Sequence, residues 1–170
     1  MRCENWSSAH TYDNSIPPKR AALQMRSART ATLRLHPGLF PMNPVGQDPC
    51  PCGSGRPYPG CCGPLHAGGT ASDAQSLMRA RYCAFVLCNE PYLLATWHPS
   101  TRPGSIPFNK AQKWLGLRVV HASVTGGDSA EVEFIARSRV SNSAAVRQHE
   151  RSRFVRENGR WLYVDGDMME

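Results

Sequence analysis

The chain of 170 residues has room for one domain of ordinary size, about 100–150 residues, and a small appendage. Hydrophobic residues make up 41% of it, which excludes a wholly disordered chain, while 14 Gly and 14 Pro keep a good part out of regular structure. Of the formal charge of +7, +4 lies in residues 1–46, so the rest carries no basic stripe of the kind that tracks nucleic acid, and no apolar run of about 18 residues marks a membrane span.

Residues 1–46 read as a disordered or spurious extension. Pro17, Pro18, Pro37, Pro41 and Pro44 break every periodic pattern, and Met42 is an alternative start. The absence of acids between Asn14 and Val45 is also the composition of an organellar transit peptide, but the apolar positions are too few for an amphipathic helix. Cys3 is a lone cysteine in this arm. No secretory pattern of charged start, apolar stretch and small-residue cleavage site is present, and a cytoplasmic protein is expected.

Residues 47–69 are rich in Cys, Gly and Pro and have almost no apolar content, so burial of a core cannot fold them. Their cysteines run Cys50-Pro51-Cys52, eight residues, then Cys61-Cys62. Zinc takes four soft or borderline ligands in a tetrahedron, and four thiolates in so short a segment can supply them all. The intervening glycines allow the positive φ that turns a loop back on a metal, and Arg56 can offset the charge of a zinc with four thiolates. Disulfides are the competing reading. An odd total of seven cysteines and the strain of bridging adjacent residues stand against it. His66 is a further possible ligand, in a Cys3His set.

Together, Cys50-Pro51-Cys52-Gly53-Ser54-Gly55, Tyr58 and Cys61-Cys62 resemble the SEC-C motif, the zinc knuckle of the SecA translocation ATPase and of many unrelated proteins. The resemblance implies that Cys50, Cys52, Cys61 and Cys62 are the ligands of a structural zinc. It also implies a surface for contact with a protein or a nucleic acid. A site closed by four protein ligands has no vacancy for a substrate.

From Thr70, Ala74, Leu77, Met78, Phe85 and Cys88 recur at helical spacing, predicting an amphipathic helix of about 16 residues capped by Ser72 or Thr70. Cys83 and Cys88, on or beside its apolar face, read as core thiols. A short helical stretch follows from Pro91 to Trp97 and ends at Pro99. Beyond Trp114 the period becomes two, over 117–124, 131–140, 146–156 and 160–164. Gly126-Gly127, Ser141-Asn142 and Asn158-Gly159 mark turns between these strands. One long helix over four antiparallel strands is an α+β layer. Asp165-Gly166-Asp167 reads as a polar terminal turn.

The segments Leu77 to Tyr82, Thr96-Trp97-His98-Pro99, Trp114 to Leu117, Val132 to Arg137, His149 to Phe154 and Gly159 to Gly166 resemble the YchJ family of bacterial proteins. Ala80 and Ser138 depart from the Ser and Tyr of that pattern. The resemblance implies that residues 70–167 form a cone similar to the nuclear-transport-factor-two fold, with one long helix, short helices and a bent antiparallel sheet, behind the zinc knuckle of 47–69. Folds of this type hold a pocket between helix and sheet, and relatives such as ketosteroid isomerase use it for proton transfer.

Alternation along 146–156 puts Glu150, Ser152 and Phe154 on one face and His149, Arg151 and Arg153 on the other. Glu150 is thus a candidate general base, and Tyr82, Trp97 and His98 complete the candidate pocket. Against this, Glu150 can pair with Arg81 or another arginine, His98 can cap a turn, and Trp97, Trp114 and Trp161 can be core. The leading expectation is a zinc-binding accessory or adaptor protein that docks a protein partner through the knuckle, without catalysis. The alternatives are a small-molecule hydrolase or isomerase using Glu150, His98 and Tyr82, and nucleic-acid binding through the basic arm and the knuckle. Arg151, Arg153 and Arg156 interleaved with Phe154 are a weak second signal for nucleic acid.

Overall fold

An isolated antiparallel bridge between Pro49 and Pro57 closes the cysteine loop, with the Cys50 N–H donating to the Arg56 carbonyl at 2.8 Å. The computed structural model to which this bridge belongs describes residues 48–170. The expectations for residues 1–46 (extension, start at Met42, transit-like composition, lone Cys3 and a basic arm) lie outside the described residues. After the loop come a 3-10 turn, Tyr58–Gly60, and a single helical turn, α1, Gly63–His66. Proline as the second residue of each, Pro59 and Pro64, supplies a fixed helical φ in the first turn without wasting an N–H donor.

Asp73 starts the long helix α2, Ala74–Leu87. Its Oδ1 accepts from the Ser76 N–H at 2.7 Å, and the hydroxyls of Ser72 and Ser76 donate to its Oδ2. The cap is therefore neither Ser72 nor Thr70. Asp73 stands three residues before the orphan N–H of Ser76, and Ser72 turns its hydroxyl to serve the carboxylate. The helix ends at Cys88 in the left-handed conformation, φ 55°. Helix α3, Glu90–Ala95, follows at once, its first turn capped by Asn89 accepting from the Tyr92 N–H at 3.2 Å.

Four antiparallel strands complete the chain as a meander in the order β1-β2-β3-β4: β1 Gln112–Gly126, β2 Ser129–Val140, β3 Val146–Glu157 and β4 Arg160–Met168. The α+β architecture expected from the sequence is the one observed. Asn158 at φ 50° and Gly159 at φ 76° make the tight turn from β3 to β4, which needs positive φ at both positions.

Two strands are longer than their alternation suggests. β1 begins at Gln112, and a register shift between Trp114 and Gly116, with Gly116 at φ 149°, hides its first residues from a period-two reading. β4 runs through Asp165-Gly166-Asp167, which is strand and no turn. Gly166 pairs with Ser152, and both aspartates grip Arg153 on one face. Further shifts in β1, at Val119/His121 and Val124/Gly126, are places where the strand bends, and α2 packs on β1, β2 and β4.

The buried set joins Leu77, Tyr82 and Cys83 of α2 to Val132, Phe134 and Phe154 of the sheet and to Cys50, Cys52 and Cys62 of the knuckle. The knuckle thus shares its buried surface with the long helix. The opposite sheet face is polar. There Arg151 pairs with Glu133 and Arg153 with Asp165 and Asp167, while Phe154 is buried on the other side, where Arg156 at the strand end pairs with Asp128. Three of the four arginines of β3 are matched by acids, while Arg147 meets His149 at 3.3 Å, and Arg156 also lies over the Trp161 ring at 5.7 Å.

Candidate functional site

Gly53 at φ 73° and Gly55 at φ 76° turn the cysteine loop so that the Sγ atoms of Cys50, Cys52, Cys61 and Cys62 all lie within 4.8 Å of one another. Cys52 and Cys61 are 3.5 Å apart, and Cys61 and Cys62 4.0 Å. Four sulfurs at about 2.3 Å from a tetrahedral ion stand about 3.8 Å from each other, so this donor set fits one metal ion. Ser54 Oγ lies 3.1 Å and Arg56 Nη2 3.7 Å from Cys61 Sγ, which spreads the negative charge a thiolate set carries. A hydrogen bond from Cys62 holds the Cys52 thiol well below the ordinary range, while burial pushes Cys50 up.

His66 is not a ligand. Its Nε2 donates to the Ala80 carbonyl at 2.9 Å, and its Nδ1 accepts from the Tyr58 hydroxyl at 2.9 Å, so both ring nitrogens are engaged. The ring instead ties the knuckle to α2, together with Arg79, which donates to the Cys52 carbonyl at 3.0 Å. Cys83, expected as a core thiol, is fully buried, but its neighbour is the cluster: its Sγ is 3.9 Å from that of Cys50. Nothing in the spacing of 50–62 announces a fifth sulfur arriving from α2.

On the other side of α2, between the helix and the concave face of the sheet, lies a cavity of about 280 Å³. Arg81, Tyr82, Trp97, Trp114, Glu150 and Tyr163 line it, together with a wall of Phe85, Phe134 and Phe154. Glu150 accepts three hydrogen bonds, from Ser152 Oγ at 2.6 Å, Gln148 Nε2 at 3.0 Å and the Tyr163 hydroxyl at 3.3 Å. Gly166 opposite makes room for it, because a Cβ there would stand 2.3 Å from Glu150 Oε1. Burial pushes the Tyr82 phenol up to about 12, against a hydrogen bond with the Gly116 backbone, so it stays protonated at neutral pH.

A family profile described as "YchJ, middle NTF2-like domain" matches residues 73–166. A "UPF0225 protein" of Xanthomonas campestris is 55% identical over 129 residues, covering 75% of this chain and 98% of its own. The chain belongs to the YchJ family. A Polaromonas relative with the same description is 56% identical over 127 residues, covering 69% of this chain and 91% of its own. The solution structure of a SEC-C motif-containing protein from Rhodopseudomonas palustris superposes with a TM-score of 0.63 at 36% identity. It covers 71% of this chain and 98% of that one.

The YchJ fold brings together three of the four residues expected in the pocket, Tyr82, Trp97 and Glu150. His98 is the exception. Its Nδ1 is 2.6 Å from Ser100 Oγ and its Nε2 3.3 Å from Glu157 Oε1, outside the cavity. Trp97 forms a bridge with Tyr163, and the next side chain along an extended backbone points the opposite way. The expected pairing of Glu150 with an arginine is absent: among the described residues it has no ion pair within 4.0 Å. Tyr163 and Gln148 were not expected at the pocket, although Gln148 stands two residues before Glu150 on the same face of β3 and Tyr163 pairs with Phe154 of that face.

Proposed function

We propose that this YchJ-family protein is a zinc-binding accessory protein, with a structural metal in the knuckle, a partner-docking surface around it, and a small-molecule cavity in the cone. The observation that carries the metal reading is the set of four sulfurs within 4.8 Å of one another, drawn from one loop turned by glycines. Zinc is the ion that soft tetrahedral thiolates favour, and four protein ligands leave it no open position for a substrate. Its part is to fold a segment that has little else to bury. When bound, it fixes the loop, while Arg56 and Ser54 hold Cys61 in orientation and His66 and Arg79 fasten the loop to α2.

Purified, unchelated protein is expected to hold one zinc per chain by elemental analysis. A value well under one, with the chain folded, removes the reading. The solvent-exposed run Gly53, Gly55, Arg56, Pro57, Pro59 and Gly60 supports docking, since it lies on the outside of the metal loop. Affinity capture with wild-type protein beside a Cys61→Ser/Cys62→Ser variant tests it, and identical partner sets would count against docking.

One observation favours a second reading, an isomerase or hydrolase: Glu150 borders the cavity without an arginine partner. Its three donors already occupy it, and His98 stands elsewhere, so binding is the stronger reading of the two. Turnover lost in a folded Glu150→Gln variant would reverse that order.

A further inference from the structure

We infer that the cavity binds a small aromatic monocarboxylate, gripped side-on by the Arg81 guanidinium. This deepens the small-molecule reading of the cavity and rests on it. Arg81 sits in the middle of α2 and is only 5% exposed. The protein uses one of its nitrogens: Nη1 donates to the Leu93 carbonyl at 2.8 Å and to Thr96 Oγ1 at 2.9 Å. Thr96 in turn donates its hydroxyl to the Tyr92 carbonyl at 2.7 Å, which leaves its oxygen facing Arg81 as an acceptor.

The Trp97 and Tyr163 rings lie 4.9 and 4.5 Å from the guanidinium carbon. Ring faces stabilise the cation but occupy no N–H. No carboxylate of the described residues comes within 4.0 Å of it, and the charge of Glu150 in the same cavity acts on it only from beyond that distance. Burial lowers its pKa to about 10, which still leaves it charged at neutral pH. A buried charge is normally neutralised by a partner, because an unpaired one is costly. Here Nε and Nη2 have no protein acceptor, and neither is sealed off, since both belong to a side chain that borders the cavity. These two N–H groups share one edge of the guanidinium plane, the edge that takes both oxygens of a single carboxylate.

The rest of the cavity narrows the ligand. Phe85, Trp114, Phe134 and Phe154 form an aromatic wall, and 280 Å³ is at the small end of ligand cavities, which run to about 300–1,000 Å³. Glu150 in the same cavity repels a second negative charge, which disfavours phosphate and dicarboxylates. Its oxygens offer about four acceptor sites and three are filled, so one hydroxyl on the ligand can be accepted.

Calorimetric titration of the zinc-loaded full chain with phenylacetate and 4-hydroxyphenylacetate, beside the neutral phenylacetamide, tests the inference. The acids are expected to bind at least tenfold more tightly than the amide, and 1,4-phenylenediacetate more weakly than phenylacetate. Arg81→Met, which exchanges a buried cation for an apolar chain of similar length, is expected to erase the preference for acids while retaining fold and zinc. Equal affinity for acid and amide would overturn the carboxylate grip and leave the cavity as a neutral-ligand site. Binding of neither would overturn both readings. A preference that survives in folded Arg81→Met would overturn the part given to Arg81. If that variant does not fold, the acid and amide comparison on the wild type decides.

Discussion

Gly166 and Glu150 show how one missing side chain shapes the cavity. A Cβ at 166 would fall within 2.3 Å of Glu150 Oε1, and a carboxylate at the end of a flexible chain yields before a paired strand does. Gly166→Ala is therefore expected to push Glu150 off Ser152 and lower stability by about 1–3 kcal/mol, as overpacking does. Adding Glu150→Ala should recover most of that loss, and denaturant unfolding of the two single variants and the double variant measures it. His66 makes a different prediction. Burial holds its pKa below the ordinary 6.5, and its neutral form serves both Tyr58 and Ala80. The stability it contributes is thus complete above that ordinary value and is lost as pH falls toward the lowered native one. NMR titration should find the ring protonated at Nε2 and charging below 6.5, and His66→Gln should flatten this part of the stability profile. At this scale the cysteine cluster was legible because its four members are neighbours in sequence. Arg81 was legible only as a partner for Glu150, because the groups that surround it instead arrive from Leu93, Thr96, Trp97 and Tyr163. His98 misled through its adjacency to Trp97, a neighbour that the extended backbone sends to the other side.

Elements were legible where one period ran unbroken. The Asn158-Gly159 turn and the faces of β3 follow directly from local chemistry and alternation. β1 lost its first residues to a bulge, and β4 lost its last because an Asp-Gly-Asp run has the composition of a turn. Tertiary pairing with Arg153 overrides that composition, since the two aspartates fall on one face and find a guanidinium there. Helix α2 was displaced at its start for a similar reason: three of its first neighbours, Thr70, Ser72 and Asp73, can all cap, and only geometry picks the carboxylate. Asp73→Ala is expected to cost about 1 kcal/mol, read by thermal or denaturant unfolding, whereas Thr70→Ala should be nearly silent.

For the whole molecule, the long helix is a party wall. Ala80 and Cys83 face the cysteine loop, while Arg81, Tyr82 and Phe85, each within two residues of them, face the cavity. Gly53 of the loop also stands against the Leu117 carbonyl of β1, the strand that brings Trp114 to the cavity. A helix this short, 14 residues with buried groups on both sides, cannot settle one face without constraining the other. The two sites are then bound by reciprocity: whatever factor the metal adds to the retention of an occupant, the occupant must add to the retention of the metal. Zinc affinity, read by equilibrium competition with a chromogenic chelator, is expected to rise when the cavity is filled, and stripping the metal should weaken the occupant by the same factor. Two affinities that ignore each other would mean that the wall, though shared, is stiff enough to keep its two tenants strangers.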